Sequence, residues 1–428
     1  MMKWFKKLFV VIKDKQLRNK ILFVLCLLAV SRLLSNIPLP GINTETLKNF
    51  FGQNQFFGLL NLFVGGALSN LSLVMLGLGP YITATIIIQL LTMIFPQLEK
   101  IYKEEGEAGR RKINQWSRYL TVPLAILQSY AMLTLFQRQQ IINHLSLSQV
   151  LVSVITVTAG SLLLMWIGEL ITEKGVGNGV SILIFAGIIA RTPTDIRQLV
   201  LTWDNSKFFA YLAFFAVSLL IIAGVVLITE ARRNIPVSYA KRIRGNRVFG
   251  GASTYLPINM NPAGVIPIIF ALSILLLPTM VANFFNVGSN PTISAIAASV
   301  VAFLANGWIN GVLFFTLVFL FTFFYTAVTF DPKSISNNLQ KAGGFVPGIR
   351  PGDNTAKFLH KILYRVLFVG ALFLGIIAVL PSIIQGASGI QAFEFLIGGT
   401  ALLIVVSVVL EIWRQVKSQL EMREYERF

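Results

Sequence analysis

Residues 56–95 read FFGLLNLFVGGALSNLSLVMLGLGPYITATIIIQLLTMIF, an apolar stretch without one charged side chain. A helix that crosses a membrane needs about 20 mostly apolar residues, and 74–95 supplies them. The preceding piece, 56–74, is also apolar, but it is short and broken at Gly58 and at Gly65–Gly66. Gly77, Gly79 and Pro80 interrupt the run again before it settles into helical residues. A short apolar piece beside a full span is a re-entrant candidate. Irregular backbone at that depth has to be buried in protein or line a cavity. The stretch therefore predicts a stopper folded into an outer vestibule, with an outer-surface cap as the plainer alternative.

The rest of the chain agrees with a membrane reading. Of 428 residues, 55% are hydrophobic and 13% charged, and the mean hydropathy is +0.72. Soluble domains carry about 25% charged residues, so a single soluble core is excluded. The hydrophobicity also excludes a disordered chain. Ten spans are predicted, near 21–37, 74–95, 118–137, 148–169, 178–191, 208–229, 262–284, 307–330, 366–384 and 394–411. With a cytoplasmic N-terminus, 30 of the 36 Lys and Arg residues fall on the cytoplasmic side. That asymmetry follows the positive-inside rule, and a miscounted span would scramble it. The net charge of +18 is thus mostly a cytoplasmic face suited to anionic lipid, RNA or an acidic protein surface.

Organisation follows from the count. Residues 1–20 alternate Trp4, Phe5, Leu8, Phe9 and Ile12 with lysines, the pattern of an interfacial amphipathic helix. Five spans lie in 21–200 and five in 201–428, so an odd number per half places the halves in opposite orientations, as an inverted repeat requires. The segments 230–261 and 331–365 are longer than a helix–helix connection needs. Their glycines and interspersed apolar residues predict ordered docking arms on the cytoplasmic side.

The spans lack chemistry. Arg32 and Glu169 are the ionisable exceptions, and each is expected to snorkel to an interface. One cysteine, Cys26, and two histidines offer no metal or disulfide pattern, and no cofactor motif occurs. Coupled transporters and intramembrane proteases would need polar or paired charged groups at mid-depth, and no such groups are visible. A scaffold that only docks ribosomes at the membrane stays open on composition alone, as does a small-solute transporter.

Seven further matches fix the family expectation: GLGPYITATIIIQLL (77–91), EGEAGRRKI (105–113), TEKGVGNGVSILIFAGI (172–188), NPAGVIPIIFA (261–271), FYTAVTFDP (324–332), GGFVPGIRPG (343–352) and IGGTALLIVV (397–406). In these motifs the chain resembles the SecY family, the central subunits of protein-conducting channels, over nearly its whole length. The resemblance implies an all-α polytopic membrane protein, with ten transmembrane helices in two inverted five-helix halves around a central hourglass pore. It implies a pore ring on Leu78, Ile82, Val180, Ile184, Ile269 and Ile404. It implies a plug with its core at Phe63, Val64, Gly65, Gly66, Ala67, Leu68, Ser69, Asn70, Leu71, Ser72 and Leu73. A lateral gate between spans two and seven would use Thr83, Gln128, Leu275 and Leu276. Lys241, Arg242, Arg244, Arg247 and Arg350 would meet the SecA motor or the ribosome, rRNA included. The other implied partners are SecE, SecG, signal sequences, unfolded secretory or membrane proteins and anionic lipids. The implied home is the bacterial plasma membrane, with both termini cytoplasmic, and no enzymatic activity of the chain's own is expected.

Overall fold

The computed structural model describes residues 14–39, 64–68, 70–138, 142, 146–201, 205–239, 242–244, 247–249, 253–285, 291–388 and 399–426. Of the expected amphipathic segment at 1–20, residues 1–13 lie outside them, as do Phe63, Ser69 and Lys241, while 15–20 are continuous with the helix of span one. Ten helices occupy the positions of the ten spans. Spans one to five are Lys15–Ser35, Gly79–Ile94, Gly106–Arg138, Leu147–Lys174 and Gly179–Leu201. Spans six to ten are Phe208–Glu230, Ile266–Phe285, Gly307–Thr329, Asp353–Ser388 and Gly399–Glu426.

Local chemistry explains the helix ends. Pro80 stands in the first turn of span two, where its missing N–H costs nothing. Ser146 and Gln149 form a reciprocal capping box at the start of span four. Asn306 caps span eight through the Trp308 N–H. A break at Phe95 turns span two into the helix Pro96–Glu104 through 103°, which lays that helix across the end of the span.

Among the described residues, five helices are long and apolar enough to cross a membrane unaided, and a sixth qualifies if the bent pair counts as one. Spans five and seven, Gly179–Leu201 and Ile266–Phe285, each carry buried residues of the central apolar cluster.

The packing repeats. Spans two–three, three–four, four–five, one–four and one–five are in contact. Adding five to each number gives seven–eight, eight–nine, nine–ten, six–nine and six–ten, and every one of these pairs is also packed. The two halves therefore share one arrangement, although no residue-level similarity between them is visible. They meet where span seven lies against spans two and three, and where span five lies against span ten.

Two features were not expected from the sequence. The helix Pro291–Ala305 sits between spans seven and eight. The arms 230–261 and 331–365 contain strands β1 (Arg232–Tyr239), β2 (Arg242–Arg244), β3 (Arg247–Phe249), β4 (Ser253–Asn259) and β5 (Gly344–Phe345). β1 pairs antiparallel with β4 on one side and with β5 on the other, and β2 pairs with β3. Because β5 belongs to the second arm, the pairs Ser238↔Phe345 and Tyr239↔Gly344 join the two arms into one body. Ile235, Ile258, Val346, Leu359 and Leu363 give that body its own apolar core.

Candidate pore, plug and gate

Five of the six ring candidates are buried: Leu78, Ile82, Ile184, Ile269 and Ile404. They belong to one continuous apolar cluster, and Val180 packs against it while half-buried. They arrive from four helices. Leu78 caps span two and Ile82 follows one turn later, Val180 and Ile184 share a face of span five, and spans seven and ten supply Ile269 and Ile404. The cluster also contains Ala67 and Val74, with Val64 against its edge. The segment 64–74 and the ring candidates therefore adjoin one apolar cluster.

The plug segment over 64–78 is a succession of turns rather than a helix. Ala67, Leu68, Leu71, Ser72, Val74 and Met75 are at most 1% exposed, so the segment is inside the protein and the outer-cap reading does not hold. Its anchors are backbone groups. The N–H of Leu39 donates to the Leu71 carbonyl and the N–H of Leu73 to the Ile37 carbonyl, at 2.9 and 3.1 Å. These bonds bracket an antiparallel bridge between Pro38 and Ser72. The Ser161 hydroxyl of span four donates to the Gly77 carbonyl at 2.9 Å. Gly160 is required beside it, because a Cβ there would lie 2.1 Å from the Leu73 carbonyl oxygen.

This packing also carries costs. Leu71 holds φ at 41°, a region that only glycine enters freely. The Ser72 hydroxyl is buried without a hydrogen-bond partner, which costs about 1–3 kcal/mol.

The gate candidates lie along the seam between the halves. Thr83 of span two, Gln128 of span three and Leu275 of span seven are buried, while nothing is described of the Leu276 side chain. Span seven touches both spans two and three. Gln128 Oε1 lies beside the turn at Gly79, within ordinary van der Waals distance of where a Cβ would stand.

The two ionisable span residues do not simply snorkel. The Arg32 guanidinium turns inward and donates to the Gly65 carbonyl at 2.8 Å. Glu169 accepts from Arg118 of span three at 2.7 Å. Both partners lie far away in sequence, so local patterning gave no signal for either bond.

On the joined arms, Arg350 is exposed at the tip of a turn whose flanking glycines, Gly348 and Gly352, have φ of 81° and 96°. Its carbonyl accepts from the Thr355 hydroxyl, and the Gly352 carbonyl accepts from the Ser336 hydroxyl. The backbone is pinned and the guanidinium projects outward. Arg242, Arg244 and Arg247 stand on the β2–β3 hairpin, and nothing is described of their side chains. Among the described residues, no group of three His, Cys, Asp or Glu side chains is placed to hold a metal.

The profile of the SecY family matches residues 72–413, most of the chain. The protein translocase subunit SecY of Corynebacterium glutamicum is 44% identical over 97% of both chains. The chain belongs to the SecY family. The SecY subunit of Thermotoga maritima is 42% identical over 97% of this chain and 96% of its own. Two solved structures share the fold at 18% identity, each covering 92% of this chain and 91% of its own. One is a protein-conducting channel, with a TM-score of 0.62. The other is a canine ribosome–channel complex from the endoplasmic reticulum, with a TM-score of 0.60. The chain is accordingly a helical, multi-pass membrane protein of a family of protein translocase subunits.

Proposed function

We propose that this SecY-family subunit passes unfolded polypeptides through the ring Leu78, Ile82, Val180, Ile184, Ile269 and Ile404, with residues 64–73 as the plug beneath it. One observation supports the reading: five ring candidates, from four separate helices, belong to one buried apolar cluster with Ala67 and Val74, and Val180 packs against it. An aliphatic constriction blocks ions by dewetting and offers a passing peptide no hydrogen bond to hold it. Signal sequences enter laterally between spans two and seven, where Thr83 and Gln128 keep the seam from being wholly apolar. Transmembrane segments leave by the same route.

The chain performs no covalent chemistry, and energy comes from partners. The exposed Arg350 and the arginines of the β2–β3 hairpin serve as the docking face for a motor ATPase of the SecA type or for ribosomal RNA. SecE and SecG complete the channel, anionic lipid neutralises the cytoplasmic charge, and the membrane is the bacterial plasma membrane with both termini cytoplasmic. A test is reconstitution with SecE and SecG in vesicles supplied with SecA and ATP. A precursor should become protease-protected only when it carries a signal sequence. Absence of protected precursor, while a reference SecY channel translocates in parallel, refutes the reading.

A further inference from the structure

The geometry points to Arg32 as a positioning residue for translocation: its guanidinium is the latch that holds the plug closed. The inference rests on the reading of residues 64–73 as the plug. Arg32 lies in the last turn of span one and reaches across 33 residues of sequence to the Gly65 carbonyl at 2.8 Å. No carboxylate pairs with it among the described residues. A half-buried cation with a carbonyl as its partner makes a charge-assisted bond. Such a cation is tolerated in a membrane protein where it finds this kind of partner.

The surroundings are shaped to bring the cation onto the backbone. Gly65 has φ of 68°, so its carbonyl is presented by a turn that other residues adopt only under strain. A Cβ on Gly65 would lie 2.6 Å from the Arg32 Nη2 and 2.6 Å from the Gly187 Cα of span five. A Cβ on Gly187 would in turn approach the Gly65 Cα at 3.3 Å and the Arg32 Nη2 at 3.4 Å. Two glycines thus open one slot in which the span-one guanidinium, the plug backbone and the span-five backbone meet. Span five carries the ring candidates Val180 and Ile184, so the latch fastens the plug to span one while holding it against a ring-bearing helix at Gly187. Opening the channel has to break this bond, and its strength sets the threshold that a signal sequence must overcome.

The experiment uses the channel complex in planar bilayers, with Cys26 replaced by Ser. In Arg32→Gln the resting open population should rise about 10- to 100-fold, the worth of one charge-assisted hydrogen bond. Precursors with defective signal sequences should then be exported, and Arg32→Lys should restore part of the closure. A second element separates a displaced plug from a lost charge. Cysteines at Pro38 and Ser72, which face each other across the antiparallel bridge, fall within disulfide range.

Oxidation should silence the Arg32→Gln leak, and reductant should bring it back. Native resting conductance in Arg32→Gln overturns the inference, as does a leak that persists with the disulfide fully formed. If Arg32→Gln does not assemble, Gly65→Ala is measured, in which the arginine stays but its slot is filled; native conductance there overturns the inference equally. The disulfide in the otherwise native chain tests the plug reading itself. If oxidation leaves translocation unimpeded, that reading fails and the latch with it; if it blocks translocation while Arg32→Gln stays tight, only the latch fails.

Discussion

Replacing Ile404 with Asn strikes the ring at its most enclosed point. The Ile404 side chain is fully buried, in one cluster with Ile82, Ile184 and Ile269. Burying an isoleucine side chain is worth about 1.5–3 kcal/mol, and the substitution gives that up. The new amide, buried inside an apolar cluster, adds about 1–3 kcal/mol of polar burial. The closed state is therefore penalised by about 2.5–6 kcal/mol relative to a wetted one in which the amide meets water. Side chains that stay partly covered when the channel opens recover less, so the lower end, a shift of about 60-fold or more, is the expected floor. The assay is single-channel recording of the reconstituted complex without precursor, beside export of a precursor with a weakened signal sequence. Both should rise. Unchanged resting conductance in a correctly assembled Ile404→Asn channel would refute the claim that this residue seals the pore.

Other outcomes follow from the same structure. Arg350→Glu should impair motor-driven export severely and leave assembly intact, because the side chain projects from a turn pinned through its carbonyl and that of Gly352; normal export would remove Arg350 from the docking face. Gly160→Ala should push the Leu73 carbonyl away and destabilise the closed form by about 1–3 kcal/mol, read as a lower midpoint of thermal unfolding in detergent together with a higher resting leak. Glu169→Gln should cost about 1 kcal/mol or somewhat more, since Arg118 is half exposed while Glu169 is only 19% exposed; a collapse of stability would show the pair to be buried in the membrane-embedded protein. Arg414→Ala should loosen the packing of span ten on span six, because Arg414 binds both Glu230 and the Thr229 carbonyl; increased proteolysis near residue 230 would report it.

The membrane architecture was legible because its signals are local and repeated. Apolar length and the one-sided lysines and arginines placed all ten helices, and motif resemblance named candidates for ring, plug and gate. What escaped has physical reasons. The helix Pro291–Ala305 is 15 residues long, below the length of a span. The strand β1 does show alternation, with Ile235 and Val237 buried on either side of the exposed Pro236. It lay inside a basic arm where charge dominated the reading. The inward turn of Arg32 and the tie from Ser161 to Gly77 join residues far apart in sequence, and periodicity contains no term for such contacts. Gly187 and Gly160 look like ordinary small residues in membrane helices until the backbones packed against them are seen.

The most direct test of the central claim is a crosslink at the ring. Cys26 is replaced by Ser, one cysteine is placed at Ile184, and a precursor with a single cysteine is stalled in transit through the complex reconstituted with SecE, SecG, SecA and ATP. A disulfide between precursor and residue 184 that needs SecA, ATP and a signal sequence is the predicted result. Transported precursor that bonds only to cysteines placed at lipid-facing controls such as Leu220, which is 72% exposed, would contradict it.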